Sequence, residues 1–303
     1  MPSRLILLLP PWEVLERQGD ADLLGTARAR GDALASGLAG LRAQQLRVFD
    51  VVPKPPAWAA ITRRTDCGDA SEYQWLRADP AHVQVEAGGL RLLAFGEALA
   101  LETADSEALA TSLRPSFHDL GMVFSAPNPW RWYVQLARGR PMPRFLDPED
   151  ALGASGTPLP AGETAGREWS RLLNETQMVL HDHPVNRDRA RGGLLTVNSL
   201  WLWGAGELPL KVASGANAYV GSDAELRALA QVARVAALPS LGAAIVAKHA
   251  SVVLDARRGP RSEVLREAIA EHAAGRFEIL RLDSEDGRLV EYKRWHRFRF
   301  WRR

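Results

Sequence analysis

The 303-residue chain has a single cysteine, Cys67, and lacks any apolar run long enough to span a membrane. One cysteine excludes an intrachain disulfide and a cysteine-based zinc finger, and it is typical of a protein in a reducing compartment. The apolar stretch of residues 5–9 is followed at once by two prolines, so it falls far short of the roughly 18 residues that a membrane helix needs. We therefore expect a cytoplasmic protein that does not associate with membranes.

The chain also lacks an excess of charge of either sign. It carries 38 Lys and Arg residues against 36 Asp and Glu residues, for a formal net charge of +2. This balance provides no overall attraction to nucleic acid, to a membrane surface or to acidic partners. Basic and aromatic residues alternate around residues 295–301, and we interpret them as a last strand with one apolar and one charged face rather than as a nucleic-acid patch.

The pattern of apolar residues predicts an α/β fold. The run over residues 4–9 is typical of a buried parallel strand, and beyond residue 206 short apolar strands alternate with helical patterns. Such alternation predicts a doubly wound, mostly parallel sheet with helices on its faces. Residues 72–190 are richer in hairpin signals. We therefore predict an α/β core domain of residues 1–71 and 191–303, interrupted by an inserted α+β subdomain of residues 72–190.

A polar corner lies between an amphipathic helix, predicted over residues 164–182, and an alternating apolar strand, predicted over residues 194–203. Pro184 is expected to end the helix. The arginines that follow, in what we expect to be an extended segment, either cap the last helix carbonyls or form a clamp for a carboxylate or phosphate group. Asn198 lies among leucines and must be hydrogen-bonded, so it either holds a loop in place or faces a ligand.

A second polar group precedes a strand predicted over residues 82–85. Arg77, Asp79 and His82 place a cation, a carboxylate and an imidazole within one turn of chain. The favoured interpretation is a structural ion pair between Arg77 and Asp79, and the alternative is a loop that faces a ligand. His82 is a poor candidate for a metal ligand because a metal site needs three or four donors that converge.

The corner carries a motif that consists of His183-Pro184-Val185-Asn186, then Arg189, Asn198 and the sequence Trp-Leu-Trp-Gly-Ala-Gly over residues 201–206. In order and spacing this motif resembles a segment of the archaeal-type cofactor-independent phosphoglycerate mutases. The chain as a whole resembles the shorter bacterial RpfE-type regulatory proteins. Features shared with that group are Asn174-Glu175, the aromatic cluster of residues 130–133, the segment Arg77-Ala78-Asp79-Pro80 with His82, and a carboxyl end rich in Arg and Trp.

The resemblance implies an alkaline-phosphatase-like fold, here truncated. In the mutases a metal-binding Asp follows the first strand and an Asp-His pair occurs late in the chain. This chain has Pro10, Pro11 and Trp12 at the first position, and none of its last three histidines follows an Asp. A two-metal phosphotransfer site needs about six Asp and His ligands and a Ser or Thr nucleophile. We therefore expect no bound metal, no cofactor and no catalytic residues.

We predict a phosphoglycerate mutase-like protein without the metal centre, acting as a regulatory or metabolite-sensing pseudoenzyme. The predicted ligand is a small phosphorylated or carboxylated metabolite, and no nucleic-acid partner is expected. The predicted ligand-binding residues are His183, Asn186, Arg189, Asn198, Arg77, Asp79 and His82. Two alternatives stay open: an active phosphoglycerate mutase or phosphatase with a rearranged site, and a protein-interaction module in which the corner is only structural.

Overall fold

The structure is a computed structural model that describes residues 3–86, 89–153, 155–156 and 164–299. Within these residues the strands are, in chain order, β1 (Arg4–Leu9), β2 (Asp32–Ala33), β3 (Phe49–Val52), β4 (Gln74–Glu86), β5 (Gly89–Phe95), β6 (Val123–Asn128), β7 (Arg131–Leu136), β8 (Ser155–Gly156), β9 (Ser199–Gly206), β10 (Lys211–Ser214), β11 (Ala218–Val220), β12 (Ala236–Leu238), β13 (Ser251–Asp255), β14 (Ile279–Ser284) and β15 (Leu289–Lys293).

The helices of the same residues are α1 (Trp12–Arg17), α2 (Gly25–Arg30), α3 (Leu41–Val48), α4 (Trp58–Asp66), α5 (Thr103–His118), α6 (Pro148–Ala151), α7 (Thr164–His181), α8 (Pro184–Arg191), α9 (Ala224–Val232), α10 (Leu241–Val246) and α11 (Arg261–Ala273). Short 3₁₀ helices cover Ala21–Leu24, Gly96–Leu99 and Arg294–Phe298. Within the described part of the chain, no helix combines the length and the apolar character that are needed to cross a bilayer.

The chain forms two compact units: residues 1–54 together with 210–303, and residues 55–209. The second unit therefore lies, in sequence, between the two segments of the first. Its ends differ from those of the predicted subdomain of residues 72–190. The reason is that β9 pairs with β4, and α4 also contacts both strands, so the residues on either side of the predicted subdomain belong to the same sheet assembly.

The first unit is built on a sheet with the strand order β12-β11-β13-β1-β14-β15-β2. The strands from β12 to β14 are parallel, whereas β15 and β2 are paired antiparallel. The unit is thus a mixed α/β fold with a largely parallel central sheet. Strand β1 pairs with β13 and β14, two strands from the carboxyl half, and its Leu5, Leu7 and Leu9 are completely buried. Helices on both faces of this sheet remain a prediction.

The second unit is built on an antiparallel sheet in which β4 pairs with β5, β7 and β9. This strand is 13 residues long and contains Arg77, Asp79 and His82. The alternative in which Arg77 and Asp79 lie on a loop was therefore wrong, and the strand predicted over residues 82–85 begins at Gln74. The strand starts earlier because Trp75, Leu76 and other apolar side chains along it are buried.

The chain after His183 is helical, and the predicted extended segment was wrong. Helix α7 ends at His181, and Pro184 is the first residue of α8. A proline is well tolerated at that position because the first N–H groups of a helix have no partner within the helix. His183 caps α8, since its Nδ1 atom accepts a hydrogen bond of 3.2 Å from the backbone N–H of Val185.

Two predicted strands also change their limits. The strand predicted over residues 194–203 begins at Ser199, and it ends at Gly206. The strand predicted around residues 295–301 was wrong where the structure describes it, because β15 ends at Lys293 and a 3₁₀ helix follows. The end of that predicted strand, from residue 300 onward, lies outside the described residues.

Candidate functional site

Arg77 and Asp79 form a buried ion pair in the middle of β4. The Nε and Nη2 atoms of Arg77 donate to Asp79 Oδ1 and Oδ2 at 2.8 and 2.7 Å. Trp203 Nε1 donates to Asp79 Oδ2 at 2.7 Å, and the backbone N–H of Trp132 donates to Oδ1 at 3.3 Å. Burial raises the pKa of the Asp79 carboxyl, and these bonds oppose that effect. The predicted ion pair is therefore present, and both acceptor oxygens of Asp79 are in use.

A network of further ion pairs in the second unit was missed by the sequence reasoning. Arg63 binds Asp69 through two hydrogen bonds of 2.6 Å. Arg131 binds Asp66 at 2.8 and 2.9 Å, and the hydroxyl of Tyr133 donates to the same carboxylate at 2.6 Å. Although burial alone would raise it, the bonds from Arg131 and Tyr133 hold the pKa of Asp66 below its usual value. These groups satisfy one another, which is typical of structural pairs.

Asn186 and Arg189 are buried and hold the chain between α8 and β9. Asn186 bonds to both backbone groups of Val197, accepting from its N–H at 2.8 Å and donating to its carbonyl at 2.7 Å. Arg189 donates from Nε to the carbonyl oxygen of Leu195 at 2.9 Å and from Nη2 to the carbonyl oxygen of Leu99. These side chains therefore supply hydrogen-bond partners for backbone groups that lie outside the regular bonding of helices and sheets.

Hydrogen bonds of the Asn198 and His82 side chains join the same chain segment to β4. Asn198 accepts from the N–H of Val83 and donates to its carbonyl, both at 2.8 Å. His82 Nδ1 donates to the carbonyl oxygen of Thr196 at 2.8 Å, since a carbonyl can only accept. The prediction that Asn198 is hydrogen-bonded is confirmed, and its partner is the backbone of a neighbouring strand.

His183 lies at the start of α8 and is half-buried. Because its Nδ1 atom accepts from a backbone N–H, the neutral ring carries its hydrogen on Nε2, which lies 3.1 Å from the hydroxyl oxygen of Ser112. Burial lowers the pKa of His183, and the charge of Arg187 lowers it further. The structure thus gathers four predicted residues around one segment, whereas His183 and the Arg77–Asp79 pair make separate contacts. The four residues are His82, Asn186, Arg189 and Asn198.

A second polar cluster, in the first unit, follows the parallel strands β11 and β13. Arg257 donates from Nε and Nη2 to the two oxygens of Asp255 at 2.8 and 2.7 Å, and from Nη2 to Asp223 Oδ2 at 2.8 Å. The side chains of all three residues are at most 7% exposed. In open α/β sheets, ligands bind outside the carboxyl ends of the strands. The position of this cluster therefore makes it a candidate functional site that the sequence reasoning did not find.

The carboxyl ends of β1 and β14 are occupied in the same way. Arg47 Nη2 donates to Asp283 Oδ1 at 2.7 Å. Gln44 donates to the carbonyl oxygens of Leu9 and Asp283 at 2.9 and 2.6 Å, and the Ser284 hydroxyl donates to the backbone after β1. We call the five charged residues of this edge the carboxyl-edge cluster. They are Arg47, Asp223, Asp255, Arg257 and Asp283.

The carboxyl-edge cluster does not fit the metal pair of a mutase-type phosphotransfer site. Metal ligands must present open oxygen or nitrogen atoms that converge on one point. Here the carboxylates of Asp223, Asp255 and Asp283 are bonded to guanidinium groups. In the described ranges, no three His, Cys, Asp or Glu side chains lie together in a way that could hold a metal ion.

The chain is thus a mixed α/β protein, and the buried acids of both its units are paired with arginines. Its similarity to known proteins is short but specific. A segment of 65 residues is 43% identical to a probable 2,3-bisphosphoglycerate-independent phosphoglycerate mutase of Geobacter sulfurreducens. This segment covers 21% of this chain and 16% of that protein. A segment of 53 residues is 42% identical to such a mutase from Archaeoglobus fulgidus and covers 16% of this chain and 13% of that protein.

These matches support a relationship to the cofactor-independent phosphoglycerate mutases, although the chain spans only about a sixth or less of the length of these relatives. No family model matches the chain. Among solved structures, a cofactor-independent phosphoglycerate mutase from Thermoplasma acidophilum is similar with a TM-score of 0.42 and 17% identity, over 97% of this chain and 90% of that one. The PH0037 protein from Pyrococcus horikoshii has a TM-score of 0.48 and 12% identity, over 96% and 87%.

The contacts of Arg189 predict a loss of stability when its guanidinium group is removed. A hydrogen bond to a charged group contributes about 1.5 to 3 kcal/mol, so Arg189→Met should lower the free energy of unfolding by at least that amount. The matched control is Arg187→Met, an exposed position on the same helix. Chemical denaturation of both variants is the measurement. If Arg189→Met unfolds like the wild type while losing affinity for an anionic metabolite, Arg189 is a ligand contact instead.

The carboxyl-edge cluster predicts a pH-dependent defect in Arg257→Met. Removing one partner of a buried pair costs about 3 to 5 kcal/mol, and we expect a loss of this order at neutral pH. Burial already raises the pKa of Asp223, and without its cation that pKa rises further above the value in the unfolded chain. The stability deficit relative to the wild type should therefore shrink as the pH falls from about 7 to about 5.

The matched control for this variant is Arg258→Met, which removes the same charge from the exposed neighbouring position. We expect this control to change the free energy of unfolding by less than about 0.5 kcal/mol. Equal losses in the two variants, or a deficit in Arg257→Met that does not change with pH, would contradict the role of Arg257 as the counter-ion of the buried carboxylates.

Proposed function

We propose that this chain is a phosphoglycerate mutase-like protein without a two-metal phosphotransfer centre, and that it acts as a regulatory, metabolite-sensing protein. The observation that carries the proposal is the bonding of Arg257 to Asp223 and Asp255 at the carboxyl ends of the parallel strands. The guanidinium group brings to this edge a positive charge that metal ions bring in metal-dependent phosphotransfer sites. The carboxylates are neutralised by a group that belongs to the chain itself.

The chemistry of arginine supports binding at this edge rather than phosphotransfer. A metal ion lowers the pKa of bound water and coordinates substrate oxygens directly, whereas a guanidinium group stays protonated and only donates hydrogen bonds. Arg257 Nη1 is buried and has no hydrogen-bond partner among the described residues. An oxygen of a phosphate or carboxylate group would satisfy this donor, because such oxygens accept charge-assisted hydrogen bonds from arginine.

The corner contributes less to anion binding than its sequence suggests. Asn186, Arg189 and Asn198 each bond to backbone groups of their own unit. Polar groups that are already satisfied gain little from a ligand, because each new bond replaces an existing one. A phosphorylated or carboxylated metabolite is therefore better placed at the carboxyl-edge cluster than at the corner. The membership of the chain in the RpfE-type group is part of the same proposal.

An activity assay separates this proposal from the enzyme alternative. Purified protein should not interconvert the two monophosphoglycerates when manganese or zinc is added, because the carboxylates of the edge stay bonded to arginines. An archaeal mutase in the same assay is the positive control. Metal-dependent turnover that disappears in Asp223→Asn and Asp255→Asn would establish an active enzyme with a rearranged site.

Thermal unfolding with a panel of phosphorylated and carboxylated metabolites tests the sensing role. A ligand at about 100 times its dissociation constant stabilises the native state by about 2.7 kcal/mol, so at least one metabolite should raise the melting temperature. The increase should be lost in Arg257→Met and retained in Arg258→Met. If no metabolite changes the melting of the wild type, the protein-interaction module becomes the better account.

A further inference from the structure

A cavity of about 260 Å³ lies within the first unit, between α11, the 3₁₀ helix Ala21–Leu24 and the strands β14 and β15. Much of its wall is apolar and includes Leu23, Ile269 and Leu280. An apolar protein cavity of about 150 Å³ is large enough to hold benzene. The cavity in this chain therefore has room for an aromatic ring with a short side chain.

His272 is one of the residues that line this cavity, and its ring contains a hydrogen-bond acceptor that has no partner among the described residues. Its Nδ1 atom lies 3.0 Å from the carbonyl oxygen of Phe277, so Nδ1 carries the hydrogen and Nε2 holds a lone pair in the neutral ring. The residue is only 4% exposed, and Nε2 is buried without a partner among the described residues. Burial lowers the pKa of His272, as does the charge of Arg294, which favours this neutral form. An unpaired buried acceptor is costly unless a ligand donates to it.

Two guanidinium groups line the same cavity and are not neutralised. Arg294 and Arg297 are both exposed, and neither makes an ion pair among the described residues. The guanidinium group of Arg297 lies 4.7 Å from the centre of the Phe298 ring, which leaves its N–H donors available. Elsewhere in the chain arginines commonly pair with carboxylates, so these two provide a local positive charge that a carboxylate would match.

We propose that the cavity binds a small amphipathic acid, with an apolar body about the size of a phenyl ring, one carboxylate and one hydroxyl or N–H donor. The apolar body contacts Leu23, Ile269 and Leu280. The carboxylate pairs with Arg294 and Arg297, and the donor bonds to His272 Nε2. The lining of this cavity shares no residue with the carboxyl-edge cluster. The proposal therefore holds whether or not the chain converts phosphoglycerate.

Calorimetric titration of the full chain with three matched probes tests the proposal. Hydroxyphenylpropionate carries all three features, phenylpropionate lacks the hydroxyl donor, and hydroxyphenylpropionamide lacks the charge. We expect one saturable site per chain for the first probe. The loss of either polar feature should weaken binding by about tenfold, which corresponds to about 1.4 kcal/mol.

Variants locate the site. Arg294→Gln combined with Arg297→Gln should weaken the binding of hydroxyphenylpropionate by at least about tenfold. The matched control, Arg258→Gln combined with Arg266→Gln, removes the same charge from exposed positions and should change affinity by less than about twofold. Equal losses in the two double variants would show a non-specific effect of charge and overturn the proposal.

His272→Asn gives the sharpest readout, because asparagine keeps a donor for the Phe277 carbonyl and removes the Nε2 acceptor. In this variant hydroxyphenylpropionate and phenylpropionate should bind equally, since the hydroxyl group has lost its partner. If this variant does not fold, the arginine variants and the wild-type comparison of the three probes decide. The absence of saturable binding of either acid to the wild type would overturn the proposal.

Discussion

Each buried aspartate in the described part of the chain is paired with an arginine. The pairs are Asp20 with Arg261, Asp79 with Arg77, Asp223 with Arg257 and Asp283 with Arg47. A carboxylate that leaves water loses several kcal/mol of solvation, and it remains ionised in the interior only when a positive charge and hydrogen-bond donors compensate it. Both units therefore depend on guanidinium groups that are fixed at specific positions, and the removal of any one leaves an uncompensated acid.

This dependence links the fold to the proposed function. The carboxyl ends of parallel strands are where an α/β sheet binds its ligands, and the acids found there in this chain already have counter-ions within the chain. A guanidinium group neutralises these carboxylates as a metal ion does, but it cannot activate water or accept a substrate oxygen into a coordination shell. The proposed function therefore assigns to this edge the binding of an anion rather than chemistry that depends on metals.

Local sequence patterns predicted much of the fold. The features that were not predicted depend on contacts that local patterns do not specify. The apolar run of β1, the helix before Pro184 and the hydrogen bonding of Asn198 followed from periodicity and from the cost of an unsatisfied amide. The segment after Pro184 was not predicted to be helical, because proline both ends one helix and begins the next. The partnership of Arg257 with Asp223 joins residues far apart in sequence, and it depends on the neighbouring positions of β11 and β13 in the sheet. No spacing rule contains that information.

In the proposed function, arginines occupy the carboxyl edge in place of metal ions. The most direct measurement is an anomalous difference map from crystals of the wild-type protein grown with millimolar manganese. We expect no manganese peak beside Asp223, Asp255 or Asp283, with each carboxylate still bonded to Arg257 or Arg47. Two manganese ions coordinated by these carboxylates, with the guanidinium groups displaced, would contradict the proposed role of these arginines.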